Sequence, residues 1–165
     1  LIGFLIIALF LILWYRLPGL VATIALGIYV AITLALYKLI PVTLSTAGIA
    51  GFIISIGMAV DANILIFERF KEERRKGRET RDALEAGFSR AWLSIRDANS
   101  ASIITAIILF WFGSSLIKGF ALTFGLGVII SLLSAIIITR PFLRSLPVPK
   151  ESKIGRFLFG SGFIK

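Results

Sequence analysis

Cysteine and histidine are both absent from the 165 residues, and charged side chains make up only 16% of them. Without cysteine there is neither a disulfide framework nor a thiolate metal site. Without histidine the usual carrier of protons near neutral pH is missing, so any proton handling falls to carboxylates. Acids are themselves scarce, nine Asp and Glu against eighteen Lys and Arg. No glycine-rich phosphate loop with a lysine, no metal-ligand spacing and no nucleophile beside a base occurs. Nothing therefore supports enzymatic chemistry, and no cofactor is expected.

What fills the chain instead is apolar: 58% hydrophobic residues and a mean hydropathy of +0.96. That is more apolar surface than a soluble core of this length can hide, so the class is integral membrane. A span needs about 20 mainly apolar residues. The runs predict five helices, at about 1–14 (cut short), 20–39, 44–67, 98–112 and 119–139. They are continuously apolar rather than alternating, which excludes barrel strands and gives an all-α bundle of five transmembrane helices.

The basic residues sit between the runs and read as topology determinants, not as a nucleic-acid surface. Alternate connections, with Arg16, the nine Lys and Arg from Arg69 to Arg96, and the six from Arg140 onward, hold sixteen of the eighteen. The positive-inside rule places that side in the cytoplasm, so residues 68–97 and the C-terminus are cytoplasmic. Within that loop Leu84, Phe88, Ala91, Trp92 and Ile95 recur at helical spacing, predicting an amphipathic helix on the membrane surface. Residues 1–144 form the transmembrane domain, and 145–165, with Pro147, Pro149, Gly155, Gly160 and Gly162, a weakly structured tail. The chain opens on Leu1 inside an apolar run that has no signal-peptide pattern, so sequence on the outer side is expected upstream.

Asp61 interrupts the third run past mid-depth. A charged, unpaired carboxylate there is costly, so it should face protein or a water-filled cavity, where it can carry a proton. Asn63 cannot titrate and suits interhelical hydrogen bonding. Asp-Ala-Asn recurs at 97–99. Asp97 there either caps the fourth helix or joins Asn99 and Ser102 in a polar path toward Asp61, with Arg96 as counter-charge or anchor. Small residues recur every fourth position at Gly119, Thr123, Gly127, Ser131 and Ala135, and Gly48, Gly51, Ser55, Ala59 and Ala62 make a similar stripe, with Gly57 one turn before Asp61. Such stripes let helices approach closely.

Leu17-Pro18-Gly19-Leu20, Thr43-Leu44, Gly48-Ile49-Ala50-Gly51, the stretch GMAVDANILIFERFKEE from Gly57, Ile95-Arg96-Asp97-Ala98-Asn99, Lys118-Gly119-Phe120-Ala121 and Thr139-Arg140 carry a resemblance. Together, over about residues 17–144, they resemble the membrane domain of the SecD family of bacterial inner-membrane protein-export subunits. The resemblance implies helices 2–6 of a six-helix half of the resistance-nodulation-division (RND) superfamily type, with the first helix and a large periplasmic domain lying upstream. It implies a pseudo-symmetric SecF-like half, work beside the SecYEG channel on a translocating preprotein, and use of the proton-motive force. Asp61 then matches the family's intramembrane proton site, Asn63, Asp97 and Asn99 are its polar neighbours, and a facing Arg comes from SecF. Ala47, where the family usually has Pro, and Ala101, in place of the first of two Thr, depart from the pattern.

Two rival functions remain open at this point. An RND exporter of small molecules or lipids would share the bundle and the carboxyl, and its cargo domain would distinguish it. A non-transporting scaffold of the export channel would not need Asp61. Carboxylates alone also leave sodium open as the coupling ion in place of the proton.

Overall fold

The computed structural model describes residues 2–139 and residue 141. The expected tail at 145–165 and Arg140 lie outside the described residues. Five helices follow one another: α1 (Ile2–Tyr15), α2 (Leu17–Leu39), α3 (Thr46–Arg75), α4 (Thr80–Phe112) and α5 (Ser115–Ser134), the last continued by a π-helical turn, Ala135–Thr139. The described chain is helical throughout its apolar runs, as the sequence predicts. Four of the helices are long and apolar enough to cross a membrane, and α1 is a shorter apolar one.

Local chemistry sets the ends. Pro18 lies in the first turn of α2, where its missing N–H costs nothing. Ser45 caps α3, its hydroxyl oxygen accepting from the Gly48 N–H at 3.2 Å. Gly77, at φ 83, turns the chain from α3 toward α4. Between α1 and α2 the chain turns at Arg16, whose φ of 52 and ψ of −116 lie in a region that favours glycine. A non-glycine residue held there stores on the order of 1–3 kcal/mol. Gly19 makes the corner possible, because a Cβ on it would overlap the Leu11 carbonyl.

Packing is closest between α3 and α5, which run parallel. A Cβ on Gly51 would lie 2.6 Å from Thr123 Oγ1 and 2.7 Å from the Phe120 carbonyl oxygen, and one on Gly127 would overlap the Ser55 side chain. Thr123 Oγ1 donates to the Gly48 carbonyl at 2.8 Å. α2 crosses this pair: Tyr29 and Ser55 hydroxyls share a 2.8 Å hydrogen bond, and Tyr37 donates to the Thr123 carbonyl at 2.7 Å. Each bond joins groups with no water to turn to, which is why such polar residues hold membrane helices together.

The main difference from the sequence reading lies in α4. A surface helix followed by a separate span starting at 98 was expected, whereas one helix runs Thr80–Phe112. Its first half packs antiparallel against the end of α3, with Gly87 so close to Phe70 that a Cβ would meet its backbone at 2.6 Å. At 1.5 Å per residue α3 and α4 are about 45–50 Å long, well beyond a hydrocarbon core of about 30 Å. Their shared overhang is a charged hairpin. Its centre is Glu73, 2% exposed, paired with Lys76 at 2.6 Å, Arg78 at 3.0 Å and Arg90 at 2.6 Å. The amphipathic pattern of 84–95 thus records packing on α3.

Candidate functional site

Asp61 lies on α3 at the head of an outward stripe. Ala50, Ile53, Ile54, Gly57 and Asp61 are all exposed, while Ala59, Val60, Ala62 and Asn63 on the other side are buried. The stripe follows the 3.6-residue period, one face of one helix. Asp61 makes no hydrogen bond or ion pair with any described residue of its own chain. The protein face expected around it is therefore not supplied by the described residues.

The next helix shows the same incompleteness. Beyond Arg96 only Asn99 and Ala106 of α4 are buried. Ile104, Ile107, Ile108, Phe110, Trp111 and Phe112 are exposed. Equal steps along the antiparallel pair from the Gly87–Phe70 contact bring Arg96 level with Asp61. Arg96 is nevertheless paired with its neighbour Asp97 at 2.9 Å, both side chains being more than half exposed. Asp97 sits mid-helix, so the capping role considered for it is excluded by the continuity of α4.

The two asparagines turn inward. Asn63, 5% exposed, accepts at Oδ1 from the Thr139 hydroxyl at 2.8 Å. The π-helical turn, a form common at functional sites, brings Thr139 to that position. Asn99 donates from Nδ2 to the Ile95 carbonyl at 2.7 Å. Its Oδ1 and the Ser131 hydroxyl are buried without a hydrogen-bond partner among the described residues. Steps from Gly127–Ser55 and from Gly125–Ala106, whose added Cβ would lie 3.1 Å from the Ala106 Cβ, put both residues level with Ala59. Asn63, Asn99 and Ser131 are therefore all buried in the bundle within about one turn of the level of Ala59, whereas Asp61 and Asp97 are exposed.

Gly51, Gly119 and Gly127 lie at close approaches; an added Cβ on Gly119 would sit 3.0 Å from Ser45 Oγ. Gly57 is different, since nothing lies within 4 Å of an added Cβ. It belongs to the open face with Asp61 and packs against none of the described residues. Sequence reasoning passed over Tyr15, Glu68 and Glu73. Tyr15 Oη donates to Glu68 Oε1 at 2.9 Å, and Lys71 Nζ reaches the same oxygen at 2.7 Å. A signal was available in the seven-residue spacing of Asp61 and Glu68, which puts them two turns apart on one side of α3.

Comparison with known proteins gives one consistent picture. The family described as "Protein export membrane protein SecD/SecF, C-terminal" matches residues 1–148. The protein translocase subunit SecD of Thermobaculum terrenum is 58% identical over 148 residues, 87% of this chain and 29% of the relative. The protein translocase subunit SecDF of Bacillus subtilis is 44% identical over 147 residues, 89% of this chain and 20% of the relative. A crystal structure of SecDF from Thermus, described as a translocon-associated membrane protein, superposes with a TM-score of 0.83 at 38% identity, covering 87% of this chain and 20% of that one. The chain thus spans less than a third of the length of these relatives.

Proposed function

The chain belongs to the SecD/SecF family of protein-export membrane proteins, and from that premise we propose that it is the membrane part of a translocase subunit in which Asp61 carries the coupling proton. The observation that carries this reading is the lone carboxylate on an open apolar face. An ionised acid facing acyl chains costs about 2.5–3.5 kcal/mol even on the gentler insertion scales. The face is therefore an incomplete site, completed by a second, SecF-like half that brings a cation against Asp61.

The mechanism is a charge switch. Ionised, Asp61 pairs with the cation across the interface and holds the halves in one arrangement. Protonated, it loses that pairing, and the halves repack along the smooth strip around Gly57. If the two arrangements open to opposite sides in turn, protons pass only when the switch cycles. The buried Asn99 Oδ1 and Ser131 hydroxyl support this reading, because buried oxygens without partners among the described residues suit a hydrated path near the acid. The bias of Lys and Arg supports a cytoplasmic α3–α4 overhang in a bacterial inner-membrane protein. Work on the preprotein, beside a SecYEG channel, belongs to the outer side.

The test uses the full-length protein with its partner half in vesicles that export a preprotein under an imposed proton gradient. Asp61→Asn is expected to abolish gradient-driven export while leaving the complex assembled. Full export by that variant would contradict the proposal and favour a scaffold. Substituting a sodium gradient decides the ion: the proposal expects no stimulation.

A further inference from the structure

Tyr15 closes α1 immediately before the strained turn at Arg16. It is 6% exposed and held on three sides by α3. Its hydroxyl donates to Glu68 Oε1 at 2.9 Å. Its ring centroid lies 5.5 Å from that of Phe67, and Lys71 Nζ stands 4.7 Å from it, over the ring. Lys71 also pairs with Glu68 at 2.7 Å, so one carboxylate oxygen receives both Tyr15 and Lys71. Glu68 in turn lies seven residues beyond Asp61 on the same side of α3.

A leucine at 68 would pack a tyrosine ring as well as a glutamate does, so burial alone does not call for an acid here. An acid shared between a hydroxyl and an ammonium fixes direction and register as well as proximity. The strained backbone at Arg16 follows Tyr15 directly, so whatever fixes Tyr15 also fixes where the corner sits. We propose that Glu68 is a positioning residue that fastens the α1–α2 corner to the helix carrying Asp61, so that movement of α3 at Asp61 is delivered to α1. The inference rests on the reading of Asp61 as proton carrier, and it adds the residue through which that carrier does mechanical work.

Two substitutions dissect the tie. Tyr15→Phe removes the hydroxyl and keeps the ring under Lys71. Glu68→Gln keeps an acceptor for Tyr15 and removes the charge that Lys71 pairs with. In the full-length complex in vesicles, proton uptake and preprotein export are measured together. Both variants are expected to take up protons at close to the parent rate while export per proton falls about five- to tenfold, the size of one lost coupling contact. Glu68→Asp, which keeps the charge, is expected to recover part of the ratio. An unchanged ratio overturns the proposal, and so does a parallel fall of uptake and export, which would mark a role in folding alone.

Asp61→Asn measured alongside separates the two claims, since retained uptake in that variant removes the reading of Asp61. The tie is then judged from nitroxide labels at Leu20→Cys and Ser89→Cys, in a complex whose remaining cysteines, of which these 165 residues contribute none, have been replaced. A narrow distance distribution that broadens in Tyr15→Phe and Glu68→Gln upholds it. One that does not change overturns it.

Discussion

At the scale of the residue, two carboxylates a few turns apart on α3 have opposite surroundings. Glu73 is enclosed by Lys76, Arg90 and Arg78, and hydrogen bonds from Lys76 and Arg90 hold its carboxyl below the ordinary value of 4.5. A depressed carboxyl contributes stability above its unfolded value and loses it as the pH falls through the folded one. Glu73→Gln should therefore lower the melting temperature in detergent at neutral pH, and the gap should narrow as the pH falls below 4.5 and close once it has passed the lowered folded value. A gap that persists in acid would show that packing, not charge, sustains the hairpin. Asn63 tests a buried polar contact: Thr139→Val removes its donor and should destabilise the bundle by about 0.6–1.7 kcal/mol, the range for interhelical hydrogen bonds in membranes. Asp61, Asn63, Asp97 and Asn99 were legible as polar letters in apolar or repeated contexts. Their directions were not, because Asp61 and Asn63 stand only two residues apart and a helix turns them to different sides.

At the scale of the element, the α3–α5 contact and the open stripe of α3 make different use of the same small residues. Gly127→Ala places a methyl into Ser55 and should cost about 1–3 kcal/mol, as overpacking does. Gly57→Ala meets nothing within 4 Å and, by helix propensity, should be neutral or stabilising by up to about 1 kcal/mol. Chemical unfolding of both variants in the same detergent checks the pair, and equal losses would contradict the assigned packing. Helical spacing puts Gly57 on a different side of α3 from Gly51, but it does not say which side meets a neighbour. The continuity of α4 was hidden for a related reason. Hydropathy drops where a helix leaves the hydrocarbon, and that drop looks the same whether the helix ends or carries on in water against a neighbour. The Gly87 approach to Phe70 decides it, and that is a contact between segments distant in the chain.

At the scale of the whole molecule, length and hydropathy alone gave the helical membrane class, because about 20 apolar residues can do little else. The second half of α4 and the stripe ending at Asp61 are apolar faces that the described residues leave open, and on the proposed function a SecF-like half covers them. The covered face should make the chain depend on its partner: Gly57→Phe is expected to leave the isolated helices folded while preventing capture of the SecF-like half, and normal capture would place that half elsewhere. On the proposed function, fold and mechanism meet in one event, the gain and loss of a proton at Asp61 as the halves change arrangement. Infrared difference spectra of the assembled full-length complex, recorded as a proton gradient is applied and collapsed, observe that event itself. The account predicts a carboxylic-acid band that rises and falls with the gradient and vanishes in Asp61→Asn, and a spectrum indifferent to that substitution would contradict it.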